Sequence, residues 1–210
     1  MKTQAYDELK SLIVSGSIEP GSFLSERSLS VRLGMSKTPI RTALERLSME
    51  GFVTISPQQG IVVREMSLHE ISDQFQIRLA LEGFVLRTIA GKLSAEQVAQ
   101  LEGQLKLQKR AAQANDVART AELDTEFHLM LCSFLGNAEI IRALCQLRDR
   151  IARVILRVFK ESSLARLQEN LQEHRAIADA VIRGKRELAV ELLERHLEYG
   201  KQSLLSRSRP

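Results

Sequence analysis

The sequence contains no tryptophan, and aromatic residues make up only 4% of its 210 positions. Aromatic and β-branched residues favour strands, whereas the frequent leucine, alanine, arginine, glutamate and glutamine favour helices, so this shortage predicts a mainly α-helical protein. Hydrophobic residues nevertheless reach 44% and charged residues 27%. That balance excludes a chain disordered by composition, and the length is comfortable for two domains.

Cysteine is scarce, and Cys132 and Cys145 lack the C-x-x-C spacing of redox or zinc sites. Their pattern is typical of reduced thiols in a protein core. The N-terminal segment MKTQAYDELK is polar, which argues against a signal peptide, and no uncharged apolar run approaches the length of a membrane span. The expected setting is therefore the cytoplasm, without a membrane partner.

Common catalytic signatures are also missing from the sequence, including H-E-x-x-H, the nucleophile elbow and the P-loop. The protein is therefore not expected to be an enzyme. Its net charge of +4 and pI near 9.3 permit a nucleic-acid partner without requiring one.

Residues 1–66 combine helical stripes with a β-hairpin pattern. Ser25 and Ser36 each precede a short helical stripe as an expected N-cap, and Gly34 marks the turn between the two helices. The runs FVTIS and IVVR are rich in β-branched residues and flank PQQG, which predicts a hairpin. Helix, helix, turn, helix and hairpin together predict a winged helix-turn-helix DNA-binding domain.

Residues 67–210 lack strand patterns and predict an all-α antiparallel helical bundle. Ser94 and Asn137 are expected helix caps, and Gly136 and Gly184 are expected helix ends. The six predicted helices span roughly 67–91, 94–113, 116–135, 138–160, 163–183 and 185–205.

The helix after Ser36 has an exposed face whose basic and hydroxyl groups cluster near its N-terminal end, the end that enters the major groove in such domains. Arg41 is suited to fork onto a guanine edge, and Lys37 and Thr38 to hold phosphate or base. Arg27, on the preceding helix, is placed to reach the DNA backbone. An ordinary solvated helix face is the alternative.

Four polar side chains stand on helical stripes that are otherwise apolar: Asp124, His128, His174 and His196. Asp124 and His128 are four residues apart and therefore share one helix face. A carboxylate or imidazole is not buried without a partner. Two explanations fit, namely separate core hydrogen bonds or one shared divalent metal ion such as Zn²⁺, Ni²⁺, Mn²⁺ or Fe²⁺.

Arg78 lies on the inner stripe of the first bundle helix, beside Leu81 and Val85. A guanidinium in that position suits a carboxylate ligand. An ion pair with Glu82, four residues further on, is the alternative.

The segment covering about residues 8–64 closely resembles the N-terminal domain of the GntR family of bacterial transcription regulators. Its S-x-T-P-x-R-x-A-L-x-x-L-x-x-x-G core carries the resemblance. The sequence departs from the family where Lys37 replaces the more usual arginine and where Gln59 precedes the wing glycine. The resemblance implies that the following residues lie at the DNA: Arg27, Lys37, Thr38, Arg41 and Gly60.

Residues 70–200 look like the FCD ligand-binding domain of the FadR subfamily, through IRLALE, DTEFHLMLCSFLGN, QEHRAIADAVIRGK and AVELLERHL. In metal-binding members, a D-x-x-x-H pair and two later histidines hold a divalent cation. The resemblance gives Arg78 an effector-contacting role, and it argues against acyl-CoA, whose binders lack this ligand set. The implied metal ligands are Asp124, His128, His174 and His196.

These observations predict a homodimeric transcription regulator on a palindromic double-stranded DNA operator. Residues 1–66 hold eight Lys/Arg and seven Asp/Glu, a net +1, so affinity is expected to need two copies. A small carboxylate bound at the metal is expected to control this operator affinity. Two other classes stay open: a metal-responsive regulator without an organic effector, and a metalloenzyme fused to a DNA-binding module.

Overall fold

The computed structural model describes residues 2–56, 60–160 and 163–205, of which residues 2, 153, 154, 157, 160, 204 and 205 are described by their backbone alone. The chain divides into an N-terminal unit, Met1–Ser67, and a C-terminal unit, Leu68–Pro210. None of the described helices is long and apolar enough to cross a membrane.

The N-terminal unit is the predicted winged helix-turn-helix. Its three strands form an antiparallel sheet in the order β1-β3-β2, so β3 is central. The predicted hairpin corresponds to β2 and β3, and its turn at residues 57–59, including Gln59, lies outside the described residues. The elements are α1 (Lys2–Val14), β1 (Phe23–Leu24), α2 (Glu26–Leu33), α3 (Lys37–Met49), β2 (Val53–Ser56) and β3 (Gly60–Val63).

Two ends of the short helices follow the sequence pattern, and one departs from it. The Ser25 hydroxyl caps α2 by accepting a hydrogen bond from the Ser28 amide at 3.0 Å. Gly34 ends α2 in the left-handed conformation, at φ 64°, where a side chain would be strained. Ser36 occupies the predicted N-cap position of α3, but its side chain makes no capping hydrogen bond. The amide groups at the start of α3 are therefore not capped by Ser36.

A single apolar core holds α3 in place. Leu9 and Ile13 of α1 pack with Ile40, Leu44 and Leu47 of α3, and all five are buried. Because these α3 residues recur at helical spacing, the opposite face of α3 is turned to solvent. Lys37, Thr38 and Arg41 are on that exposed face.

The described residues of the C-terminal unit form helices joined by short turns, with no strand among them, as predicted. Helix α4 packs against α6, α7 and α9, while α8 packs against α5 and α9. The buried sides of α4, α6, α8 and α9 thus face a shared interior. The helices are α4 (Leu68–Ile89), α5 (Ala95–Gln113), α6 (Val117–Ser133), α7 (Ala138–Lys160), α8 (Leu164–Ile182) and α9 (Arg186–Leu205).

Local capping and one close backbone approach fix these helices. Ser94 and Gln97 form a reciprocal capping box at the start of α5, and the Asn137 side chain caps α7 by accepting from the amides of Glu139 and Ile140. After α4 and α8, Gly91 and Gly184 meet so closely that a Cβ on Gly91 would lie 3.1 Å from the Cα of Gly184. Both have positive φ, so glycine is required there for conformation and for space.

Candidate metal centre and DNA-binding face

Three helices bring the four predicted metal ligands together inside the C-terminal unit. Asp124 and His128 come from α6, His174 from α8 and His196 from α9. All four are buried, and one ligand atom from each lies within 4.8 Å of all the others. Apolar residues on the same helix faces are buried, so these faces are turned to the interior and the four polar groups lie in one site.

The distances between the ligand atoms fit a single metal ion bound by all four residues. The Nε2 atom of His196 lies 3.1 Å from Nε2 of His128 and 3.3 Å from Nε2 of His174. Asp124 Oδ1 lies 3.4 Å from Nε2 of His174 and 4.0 Å from Nε2 of His196. Two ligand atoms each about 2.1 Å from one ion are roughly 3.0 Å apart at a right angle and about 3.4 Å apart at a tetrahedral angle.

His128 is oriented by a carboxylate on α4. Its Nδ1 atom donates to Glu82 Oε2 at 2.7 Å, so Nε2 is the nitrogen directed at the other ligands. Burial raises the pKa of Glu82, but the nearby charge of Arg78 and the contact with His128 outweigh it and lower that pKa to about 2. Burial lowers the pKa of His128, which favours its neutral, metal-binding form.

His196 is oriented in the same way by a carboxylate on α8. Its Nδ1 atom donates to Glu173 Oε2 at 2.8 Å, and Arg166 donates to both oxygens of that carboxylate at 2.6 and 2.8 Å. Burial raises the pKa of Glu173, but the hydrogen bonds from His196 and Arg166 bring it down to about 2. An ionised Glu173 accepts the Nδ1 proton and leaves Nε2 of His196 for the site.

His174 is oriented by a neutral amide. Its Nδ1 atom donates to Gln108 Oε1 at 2.9 Å, while Gln108 Nε2 donates to the Leu123 carbonyl at 3.3 Å, which fixes the amide orientation. The imidazole stacks on Phe127 with ring centroids 4.1 Å apart. Burial, followed by the charges of His196 and His128, holds the pKa of His174 well below its ordinary value.

Separate core hydrogen bonds explain the Nδ1 atoms of the three histidines but not the position of their Nε2 atoms. Each histidine uses Nδ1 to donate to an acceptor on another residue, yet the three Nε2 atoms face one another. A single proton bridges two of these nitrogens at a time, whereas a cation accepts lone pairs from all three. Asn170 holds the Asp124 carboxylate beside them by donating to Oδ1 at 3.1 Å. The donor set therefore fits a divalent metal.

Arg78 forms the ion pair that the sequence offered as an alternative. Its Nε atom donates to Glu82 Oε1 at 2.7 Å, and both side chains are buried. Arg78 also lines a cavity of about 480 Å³, a volume that includes the open mouth of the cavity. Asp124 and His196 line that cavity too, so it reaches the predicted metal ligands. Its apolar lining comes chiefly from Phe75, Ile155, Val158, Phe159 and Leu197.

Two further arginines, Arg148 and Arg153, belong to α7, which packs against α4. Arg148 lines a smaller neighbouring cavity of about 310 Å³ with Arg78, and it pairs with the adjacent Asp149 at 2.6 Å. The side chain of Arg153 lies outside the described residues.

The groups that orient the histidines were not predicted from the sequence. Glu82 was considered only as a partner of Arg78, and Glu173, Gln108 and Asn170 were not considered. A usable signal existed for Gln108, a polar residue on the buried stripe of α5 with Leu101 and Leu105. Glu173 had no such signal, because it is partly exposed and resembles a surface residue.

All five predicted DNA-contacting residues are exposed on the N-terminal unit. Arg41 donates through Nε and Nη2 to the two carboxylate oxygens of Glu26, each at 2.8 Å. The pKa of Glu26 lies below its ordinary value, first through these hydrogen bonds and also through the charge of Lys37. Glu26, the first residue of α2, thus ties α2 to the exposed face of α3, a contact that the sequence analysis did not anticipate.

In the comparison with known proteins, each unit matches a family model of its own. The family model described as bacterial regulatory proteins, gntR family, matches residues 1–63. The family model for the FCD domain matches residues 73–199, more than half of the chain.

Relatives agree with these matches. The chain is 25% identical over 197 residues to the uncharacterized HTH-type transcriptional regulator YdhC of Bacillus subtilis, covering 93% of this chain and 87% of YdhC. It is 36% identical over 128 residues to the HTH-type transcriptional repressor RspR of Escherichia coli, covering 61% of this chain and 56% of RspR. The chain thus spans little more than half the length of RspR.

A solved structure, that of E. coli McbR/YncC, superimposes with a TM-score of 0.84. The alignment covers 99% of this chain and 98% of that protein at 22% identity, a likeness that supports the fold alone. With both family matches, this chain belongs to the GntR family of bacterial regulatory proteins and is a transcriptional regulator carrying an FCD domain.

Proposed function

We propose that this regulator binds a palindromic DNA operator as a homodimer and that a small carboxylate, held at a divalent metal, changes its operator affinity. The observation that carries the proposal is the cluster of three imidazole Nε2 atoms and one carboxylate, with every Nδ1 atom already bonded elsewhere. Such a site suits Zn²⁺, Ni²⁺, Mn²⁺ or Fe²⁺.

The ion would be held by Asp124, His128, His174 and His196. Four protein ligands leave open positions on a five- or six-coordinate ion, and the bound ion would supply a Lewis-acidic contact for a carboxylate oxygen. The cavity lined by Asp124 and His196 gives a small molecule access to that side of the site.

Arg78 supplies the second contact in this proposal. Glu82 takes its Nε–H, and a guanidinium has four further N–H donors with which to hold a carboxylate. Because Arg78 lines the same cavity as Asp124 and His196, a ligand that enters the cavity meets both groups. The effector acts on DNA binding only if it favours one arrangement of the dimer over another.

Replacing Arg78 with glutamine is expected to weaken carboxylate binding by about ten- to a hundredfold, because a charge-assisted hydrogen bond contributes roughly 1.5–3 kcal/mol. The melting temperature should also fall, since the change leaves the buried Glu82 without its ion-pair partner. Calorimetric titration of a panel of small carboxylates into metal-loaded wild type and variant measures the first effect.

Arg148→Gln is the matched control, because Arg148 lines the neighbouring cavity and is more exposed. It should bind the same carboxylates as wild type. Normal carboxylate binding by Arg78→Gln, together with early unfolding, would make Arg78 a structural partner of Glu82 only.

A dimer of two chains is expected on each operator. The exposed face of α3 is short and its unit carries a net charge of only +1 by residue count, so one copy should bind weakly. Two half-sites about one DNA turn apart would supply the remaining affinity. Light scattering of the free protein and of its operator complex measures the stoichiometry, and one chain on one half-site would contradict this expectation.

An operator-binding assay separates the proposed function from its two alternatives. Chelator-treated protein is compared with protein given metal alone and with protein given metal and a small carboxylate. A response to the carboxylate only when metal is present supports the proposal. A response to metal alone indicates a metal-responsive regulator, and turnover of the carboxylate indicates a metalloenzyme.

A further inference from the structure

Glu173 is shared between a pocket-lining arginine and a histidine of the metal cluster. Arg166 and Glu173 lie on the same helix, α8, and their bidentate contact measures 2.6 and 2.8 Å. Glu173 Oε2 also accepts the Nδ1 proton of His196 at 2.8 Å. The chain of contacts therefore runs from Arg166 through one carboxylate to an imidazole whose Nε2 faces the cluster.

Arg166 is itself part of the wall of the larger cavity. Its guanidinium packs over the ring of Tyr199 at 3.7 Å from the centroid, and both residues line the 480 Å³ cavity. The Arg166 side chain is only 13% exposed, so neighbouring residues enclose most of it. A ligand in this cavity would contact the group that holds Glu173 in place.

A second chain of contacts has the same form. Arg78 lines the same cavity and donates to Glu82, which accepts the Nδ1 proton of His128. His174, by contrast, is held by the neutral amide of Gln108. Two of the three histidines are thus joined to the cavity by an arginine and a glutamate, and the third is not.

We propose that Arg166 and Glu173 are positioning residues that couple the effector cavity to the metal site through His196. A carboxylate on the outer nitrogen of a metal-binding imidazole fixes the ring and raises its basicity, so losing it weakens metal binding. Because Arg166 fixes Glu173, a ligand that contacts Arg166 changes metal affinity, and the metal changes ligand affinity by the same factor. This inference rests on the proposed function, in which the cluster holds a divalent ion.

Helix α8 offers a matched control for Glu173. Arg166 also donates to Glu169, at 3.3 Å, and that carboxylate is 60% exposed. No contact between Glu169 and a histidine is present among the described residues. If Arg166 only formed structural ion pairs, replacing Glu169 and replacing Glu173 would have similar effects on metal affinity. A positioning role makes only Glu173 matter to the metal.

The experiment measures the Zn²⁺ affinity of the full chain by competition with a chelator of known affinity. Glu173→Gln should bind Zn²⁺ about ten- to a hundredfold more weakly than wild type. Glu169→Gln should bind as wild type. Cobalt substitution gives a second readout, because the visible absorption of bound Co²⁺ should change in Glu173→Gln and remain unchanged in Glu169→Gln.

Arg166→Gln keeps the test decisive if Glu173→Gln does not fold, as judged by thermal unfolding without metal. It should weaken Zn²⁺ binding by a smaller factor than Glu173→Gln, because the contact between Glu173 and His196 remains. Wild type that binds no Zn²⁺ would overturn the proposed function itself. Wild type that binds Zn²⁺, with folded Glu173→Gln or Arg166→Gln binding it equally well, would overturn this inference alone.

Discussion

Replacing His174 with alanine is expected to abolish stable binding of the divalent metal and to lower the melting temperature. The side chain is completely buried, and it is the member of the cluster that stacks on Phe127 and bonds to Gln108. Its removal deletes one of four ligands, leaves a cavity, and leaves the Gln108 side-chain oxygen without its hydrogen-bond donor. Truncating a large buried side chain costs about 2–5 kcal/mol.

Loss of the metal adds to that cost, because a ligand bound only by the folded state stabilises it by about 2.7 kcal/mol at a hundredfold excess over Kd. Metal analysis of the purified protein and thermal unfolding with and without chelator separate the two contributions. Chelator should lower the melting temperature of wild type and leave that of His174→Ala unchanged.

His69→Ala is the control for this prediction. His69 is the remaining histidine of the chain, and its side chain is 88% exposed at the start of α4, beside Asp73. Its removal should change neither metal content nor melting temperature. Full metal content in His174→Ala would show that the cluster is held by core hydrogen bonds and that the ion binds elsewhere.

Replacing Arg41 with alanine is expected to cost about 1–3 kcal/mol at one specific base pair of the operator. Arg41 lies on the exposed face near the N-terminal end of α3, the end that enters the major groove in helix-turn-helix proteins. Its contact with Glu26 uses Nε and one hydrogen of Nη2, which leaves the Nη1 edge able to fork onto a guanine. Binding to single-base operator variants measures the effect.

Arg142→Ala removes the same charge from an exposed position in the C-terminal unit and should leave operator affinity nearly unchanged. In Arg41→Ala, the loss should vanish at operators already altered at the contacted base pair. Equal weakening on every operator variant would instead assign Arg41 to a phosphate contact, which positions the protein without reading sequence.

Local periodicity was enough to predict most of the helices and the choice of ligands. Apolar residues at helical spacing define which face of a helix is buried, and this holds wherever the helix packs. Asp124, His128, His174 and His196 could therefore be assigned to inner faces before their neighbours were known. The cap at Ser94 and the helix end at Gly34 depend on residues adjacent in sequence, so they too could be predicted from the sequence.

Strand β1 and the absence of a side-chain capping bond at Ser36 could not be predicted from such local patterns. A two-residue strand such as Phe23–Leu24 has no periodicity to detect, and it exists because β3 offers a free edge. Ser36 has the extended backbone of an N-cap, as the pattern predicts, but its hydroxyl makes no capping hydrogen bond.

By itself, the sequence determined the winged helix-turn-helix, the bundle helices and the polar residues on inner stripes. Only the tertiary structure decided that His174 and His196 meet His128 with all three Nε2 atoms together. It also decided that Glu82, Glu173 and Gln108 orient them, and that Arg41 bonds to Glu26. Contacts between helices depend on how the helices are rotated and spaced relative to one another. Packing fixes that rotation and spacing, for example where Gly91 approaches Gly184. The periodicity of a single helix does not contain this information.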